Sequence, residues 1–414
     1  MARKMKDSGI EWIGEIPEGW EVVSVKRLCT MQAGKNLTSE QIAPEGTYPV
    51  YGGNGIRGFF SDYNCDGKFL IVGRQGALCG NVHKVDGKVW ATEHAVITNP
   101  TNYVDIDFLY YLLIGMDLNQ YVSSTAAQPG LAVGTLLNLK TCYPCSTLEQ
   151  TQISNYLNAK YSEIDTMLSK TRSSIEEYKK LKQAIITQAV TKGVRGEREM
   201  KDSGIEWAGL VPLHWGVAKI GSIGQTSSGA TPLRSKEASF FDDAAIRWVR
   251  TLDLNDGLVY DSSEKITELA LASSACSLMP KGTVCVAMYG GAGTIGKCGL
   301  LMSDCATNQA VCSIVCNREI VSPIFLLMQL LALKSYWMKY AVGTRKDPNI
   351  SQDVVARMKI LIPPLDEQKE ITDYLDAKCA EIDRLIAKKE QLVKELESYK
   401  KSLIYEVVTG KREV

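Results

Sequence analysis

With 414 residues, 45% of them apolar and 23% charged, the chain is an ordinary globular protein with room for two or three domains, neither disordered nor fibrous. Its 47 Lys+Arg balance 47 Asp+Glu, so no global basic excess advertises nucleic acid. No apolar run reaches the length of a membrane span and residues 1–6 are too polar to begin a signal peptide. The twelve cysteines lie in apolar stretches such as VCVAM and AVCSIVC, as buried free thiols of a reducing cytoplasm would.

In chain order, the first feature is MKDSGIEW at 5–12, which returns letter for letter at 200–207. The echo continues through Ile16-Pro17 and Val211-Pro212, and through Trp20 and Trp215, at a constant offset of 195. Ser8-x-x-Glu11 and Ser203-x-x-Glu206 fit a capping box, so a structural role is expected for this lead segment. A second repeat, LEQTQISNYLNAKYSEID at 148–165 and DEQKEITDYLDAKCAEID at 366–383, has an offset of 218. The chain is therefore two copies of one plan, and the second is longer by 218 minus 195, or 23 residues. The expected segments are a lead at 1–20, a variable region at 21–146 and a helix at 147–195, then a lead at 196–215, a variable region at 216–363 and a helix at 364–414.

The variable regions read as β-rich. KFLIVG, VWATEHAVIT, IRWVR, TVCVAMY and QAVCSIVC are short β-prone runs divided by Gly, Asn and Asp. Helical pattern is expected at 105–121 and 323–341. Ala91-Thr92-x-x-Ala95-Val96 returns as Ala306-Thr307-x-x-Ala310-Val311, which predicts one shared fold with divergent surfaces.

The 148–191 and 366–409 regions predict two long helices, each with a narrow apolar seam on steps of three and four. The first seam is expected at Ile164, Met167, Tyr178, Leu181 and Ile185, with Thr171 and Ser174 polar in its middle. The second is expected at Ile382, Leu385, Leu392, Leu396, Tyr399 and Leu403, with Lys389 at one seam position. A seam this narrow needs a partner, and the other copy is the nearest one. Two equivalent units related by a pseudo-twofold axis would pair these helices antiparallel and bring the chain ends together.

No catalytic constellation is legible. Gly291-x-Gly293-x-x-Gly296 matches a dinucleotide fingerprint by letter, but no helix pattern follows it. Cys142-Tyr-Pro-Cys145 resembles a redox pair without a strand–helix context, and three histidines are too few to suggest a zinc centre, so no metal is expected. Glycine-flanked polar loops remain. Gly53, Asn54, Arg57, Arg74 and Gln75 in the first copy are candidate DNA contacts, as are Ser228, Thr231, Arg234, Arg247, Arg250, Arg345 and Lys346 in the second. Arg and Gln can bond base edges bidentately, and glycines let backbone approach phosphate.

KDSGIEWIGEIPEGW, its repeat KDSGIEWAGLVPLHW, IPPLDEQKEITDYLDAKCAEID, TYPVYGGNGIRG and SSGATP together resemble the DNA-specificity subunit of a type I restriction–modification system. YPCSTLEQ departs from the proline-proline-leucine approach to the first helix. The resemblance implies an α+β chain with two β-rich target-recognition domains joined by two antiparallel coiled-coil helices. It implies that each domain reads half of a bipartite double-stranded DNA site, and that the helices set the spacer. They would also dock two modification subunits, joined by two restriction subunits where cleavage accompanies methylation. S-adenosylmethionine, ATP and Mg would then belong to those partners, in a prokaryotic cytoplasm. The charge balance is the obstacle: 21–145 has nine Lys+Arg against ten Asp+Glu, and 216–362 has fifteen against twelve. A self-contained methyltransferase or nuclease, and a duplicated adaptor for protein partners, remain alternatives at this stage.

Overall fold

The repeated lead segment folds identically in both places, and not as a helix start. Met5–Asp7 pairs with Glu15–Pro17, and Met200–Asp202 with Leu210–Pro212, as short antiparallel hairpins. The Ser8 and Ser203 hydroxyls accept from the amides of Ile10 and Ile205, two residues on, at 3.1 Å each. The expected capping boxes are thus serine turns, because Gly9 and Gly204 adopt positive φ and divert the chain before a helix can begin.

The computed structural model describes residues 3–76, 79–122, 130–241, 244–290, 293–343 and 348–414. Arg345 and Lys346 lie outside the described residues. The chain divides into two compact units, 1–172 with 390–414, and 173–389.

In the first unit a four-stranded antiparallel sheet has the order Cys29–Ala33, Ala95–Pro100, Lys68–Gly73, Val82–Asp86. Both of its faces are covered, which is why KFLIVG is a continuous apolar run. Leu70, Val72 and Val96 pack with Phe108, Leu109 and Leu112 of the helix Ile106–Gly115. Phe69, Ile71 and Ile97 face the other way, onto Val89 and Ala91 beside a three-stranded sheet formed by Gly55–Phe60, Tyr48–Gly52 and Trp90–Ala91. The expected helix at 105–121 stops at Gly115; Asp117 is left-handed and Leu118–Tyr121 continues as a 3-10 turn.

The second unit repeats the plan with one addition. Its sheet runs Gly224–Ser228, Val311–Cys316, Val284–Ala287, Cys298–Leu301, Gly257–Val259, the last strand joining parallel. The helix Pro323–Ala332 covers one face, with the 3-10 turn Lys334–Lys339 taking up the rest of the expected 323–341 pattern. A small second sheet, Lys265–Ile266, Ile246–Val249, Cys305–Thr307, Leu278–Met279, lies beyond the other face. In both units the AT-x-x-AV turn is held by a glycine. A Cβ on Gly34 would stand 2.3 Å from the Thr92 carbonyl oxygen, and one on Gly229 1.9 Å from that of Thr307.

The long helices are Thr147–Lys192, 46 residues, and Leu365–Val408, 44 residues, each ~65–70 Å long at 1.5 Å per residue. They run antiparallel within each unit. In the first, Asp165 pairs with Lys400 at 2.6 Å and Arg172 with Glu397 at 2.5 Å. In the second, Tyr178 lies under Lys389 and Lys182 pairs with Asp383 at 2.7 Å. Ascending numbers on one helix meet descending numbers on the other.

The seam itself is offset from the expected one. Ile164 and Ile382 are buried, Leu403 fully so, Tyr178 and Ile185 partly, and Leu396 packs partly buried against the first core. Met167, Leu181, Leu385, Leu392 and Tyr399 are exposed. Leu168 and Ile175 are buried in their stead on the first helix, and Ile386 and Val393 are partly buried on the second. Both step orders, three-then-four and four-then-three, satisfy a 3.5-residue period, so only the partner's position selects between them. Thr171, buried on this seam, donates its hydroxyl to the Met167 carbonyl at 2.7 Å and leaves no polar group unpaired there.

A glutamine ties each helix start to its domain. Gln150 donates to the carbonyls of Tyr103 and Pro144 and accepts from the Asp105 amide. Gln368 donates to those of Ile320 and Pro363 and accepts from the Ser322 amide. The Pro144 carbonyl therefore does in YPCSTLEQ what that of Pro363 does in IPPLDEQ, and the sequence departure leaves this anchor intact.

Candidate nucleic-acid interface

The first-unit candidates converge on one hairpin tip. Gly52 is opposite Gly55, so Gly53 and Asn54 form a two-residue turn, and the Arg57 side chain lies over Gly52. This tip packs backbone to backbone on the glycine turn at 73–76: a Cβ on Gly73 would stand 1.8 Å from the Gly53 oxygen, and one on Gly53 2.6 Å from that of Gln75. Arg74 and Gln75 therefore lie beside Asn54, and the Asn81 side chain donates through Nδ2 to Asn54 Oδ1 at 2.9 Å. The Arg74 amide donates to the His94 carbonyl at 3.0 Å, and His94 Nε2 contacts Glu93 at 3.1 Å. Arg74 Nε, Glu93 Oε2 and His94 Nδ1 are buried without a protein hydrogen-bond partner among the described residues. Such groups are costly unless something else meets them. His83, beneath Gly55, has its pKa lowered by burial, which favours a neutral ring.

The second unit builds its tip from the same place in the fold. Tyr51 pairs with Ala91 and Trp248 with Ala306, so Gly53 and Arg250, each two residues on, are equivalent. The first unit turns back at Gly53-Asn54, with seven residues between the paired Val50 and Gly58; the second has seventeen, 248–264, between the equivalent paired Arg247 and Lys265, and these also supply the extra strand Gly257–Val259. Seventeen minus seven accounts for ten of the 23 additional residues.

Arg234 and Arg250 meet at one carboxylate. Arg234 Nη2 lies 2.5 Å and Arg250 Nη1 2.6 Å from the two oxygens of Glu264. Arg247 is directed to Asp261, 3.2 Å away, and is apart from this pair because alternate strand residues face opposite sides. Thr231 is exposed and donates to Gln309; Ser228, also exposed, ends the edge strand just before Gly229. Trp248, Glu264, Asn81, His94 and Gln309 belong to these clusters and were not singled out from sequence. Trp248 could have been, since IRWVR sets it between the two arginines. Glu264 could not, because a search for DNA contacts looks for cations.

The remaining motifs resolve structurally. A Cβ on Gly296 would strike the Trp337 ring at 2.2 Å, and the strand Cys298–Leu301 follows, with no helix to receive a pyrophosphate. Cys142 is buried with Sγ 3.8 Å from the Val408 carbonyl and its pKa pushed up to about 12 by burial, while Cys145 is exposed. No helix among the described residues is long and apolar enough to cross a membrane.

Residues 17–177 and 212–396 both match the family model described as the type I restriction modification DNA specificity domain. The chain belongs to that family. Among characterised members, this specificity subunit is 46% identical over 118 residues to the type I restriction enzyme EcoprrI specificity subunit of Escherichia coli, covering 28% of this chain and 29% of that one. It is 24% identical over 417 residues to the MjaVIII specificity subunit of Methanocaldococcus jannaschii, covering 96% and 93%. A solved chain from a study of complex assembly and conformational transition of the type I R-M system shares its fold, with a TM-score of 0.72, 14% identity, and coverage of 96% and 99%.

Proposed function

We propose that this subunit gives a type I restriction–modification complex its DNA sequence specificity. Regions 21–146 and 216–363 act as the two target-recognition domains, each reading one half of a bipartite double-stranded site. The observation that carries this reading is the equivalence of Gly53 and Arg250: one frame, used twice, presents unlike polar tips at the same position. Duplicated adaptors for one protein partner would have no reason to diverge there.

The long helices set the number of unread base pairs, which a flexible linker would leave undefined. They also dock two modification subunits, one for each copy. The repeated exposed stripe supports this, since Met167 and Leu181 recur as Leu385 and Tyr399 at the offset of 218. The chain is read as non-catalytic: methyl transfer from S-adenosylmethionine belongs to the modification subunits, and ATP- and Mg-dependent cleavage to restriction subunits where present. With its charges balanced, the isolated chain should bind DNA weakly, since phosphate contact supplies most affinity.

The test is to exchange 21–146 for the corresponding region of a relative and to map methylated adenines in cells carrying the modification subunit. One half of the methylated sequence should change while the other half and the spacer stay. Unchanged site choice would end the proposal.

A further inference from the structure

A carboxylate stands at the centre of the second recognition cluster, where attraction to phosphate alone would favour none. Glu264 is about two-thirds buried and bridges Arg234 and Arg250. Both guanidinium carbons lie against the Trp248 indole, at 5.5 and 5.8 Å from the ring centroid, and Arg234 is also 4.4 Å from that of Phe241. The Glu264 carbonyl accepts from the Trp248 amide at 3.2 Å and from the Ser262 hydroxyl at 2.6 Å, so the carboxylate springs from anchored backbone. Arg250 is fixed at two further points, themselves joined to each other. Its amide donates to Asp253 at 2.8 Å, its Nη2 to the Ser263 hydroxyl at 2.9 Å, and Ser263 in turn donates to Asp253 at 2.6 Å.

We propose that Glu264 is a positioning residue for base reading by the second unit, holding Arg234 and Arg250 together against Trp248 and masking their charge from phosphate. This rests on the function proposed above. A carboxylate between two guanidiniums cancels one of two positive charges and removes the freedom of both long side chains. Phosphate attraction is blind to sequence and scales with charge, whereas hydrogen bonding to base edges depends on where the donors point. Glu264 thus exchanges non-specific affinity for discrimination. It also accounts for how a reading head can be nearly neutral: Asp261 serves Arg247 in the same way.

The experiment uses the full chain assembled with its modification subunits, as wild type, Glu264→Gln and Glu264→Ala. Two readouts are taken: binding to unrelated duplex across a salt series, and the consensus around methylated adenines. In both variants, affinity for unrelated duplex should rise about tenfold at low salt with a steeper salt dependence. The consensus should lose one or two base preferences in one half only. A merely structural residue would lower affinity and blur nothing selectively. Folded variants with wild-type salt slope and both halves sharp would overturn the proposal, as would loss of the fold in both. A wild-type complex without a bipartite consensus would remove the underlying functional reading first, before any variant is compared.

Discussion

The Trp215 indole donates its Nε1 hydrogen to the Glu367 carboxylate at 2.8 Å, at a site almost closed to solvent. Arg198, Arg195 and His214 converge on the same carboxylate at 3.1, 3.0 and 2.9 Å. In the first unit Trp20 and Arg3 meet Glu149 in the same way, at 3.0 and 2.5 Å. The repeated lead segment is thereby explained: its tryptophan, and the arginine before its hairpin, clamp a glutamate in the first turn of each long helix.

Removing Glu367 should cost more than removing Glu149. Glu367→Ala leaves buried Trp215 and Arg198 without their acceptor, about 3 kcal/mol. The half-open Glu149, with fewer partners, should cost about 1 kcal/mol on Glu149→Ala. Denaturant titration of the two variants checks the order. Burial pushes the Glu367 pKa up, but hydrogen bonds from Trp215, His214 and Arg198 outweigh it and hold it below its ordinary 4.5. A depressed carboxylate contributes stability that is complete above that ordinary value and lost as pH falls through the folded-state one. Below pH 4.5, Glu367→Gln should therefore lose less stability with falling pH than the wild type does.

Gly73→Ala should disable one reading head alone. Its Cβ would stand 1.8 Å from the Gly53 oxygen, backbone that cannot step aside without lifting the hairpin tip off Arg74 and Gln75. The methylated consensus should blur in one half while the other stays sharp. Retention of both halves would show that this tip does not read bases.

Adjacent residues on the first helix should behave oppositely. Leu168→Glu introduces a charge into a buried seam and should lower the melting temperature by many degrees. Met167→Glu, on the exposed stripe, should melt as wild type yet weaken assembly with the modification subunit, measured by co-purification or analytical ultracentrifugation. Equal effects of the two would put both on one face and refute the observed step order.

The chain should tolerate circular permutation. In the second unit the join from Gly193 to Arg198 crosses five peptide steps, and both residues touch the Trp215–Glu367 clamp. In the first, Gly410 packs on Pro17 and Trp20 while Arg3 bonds Glu149. Fusing Val414 directly to Met1 spans seven steps, four to Val414 and three to Arg3, two more than the natural join uses. A permutant opened between Gly196 and Glu197 should fold and direct methylation to the unaltered site.

Much of this molecule was written in its repeats. Two offsets, 195 and 218, disclosed the duplication, the two long helices and their lead segments, because identical residues impose identical local structure. The unbroken apolar run of KFLIVG, buried on both faces, and the helical pattern before Gly115 were equally local, hence legible. Three things needed the folded chain. Met167 and Leu168 fit the same period, so only the partner helix chose Leu168. The match of Gly53 to Arg250 is a strand-pairing fact between segments that share no residues. Glu264 gains its place from two arginines 30 and 14 positions away, and electrostatic partnership across such distances leaves no mark on spacing. Short-range preferences are carried by neighbours in sequence; what a surface can recognise is settled by which distant groups the fold sets side by side.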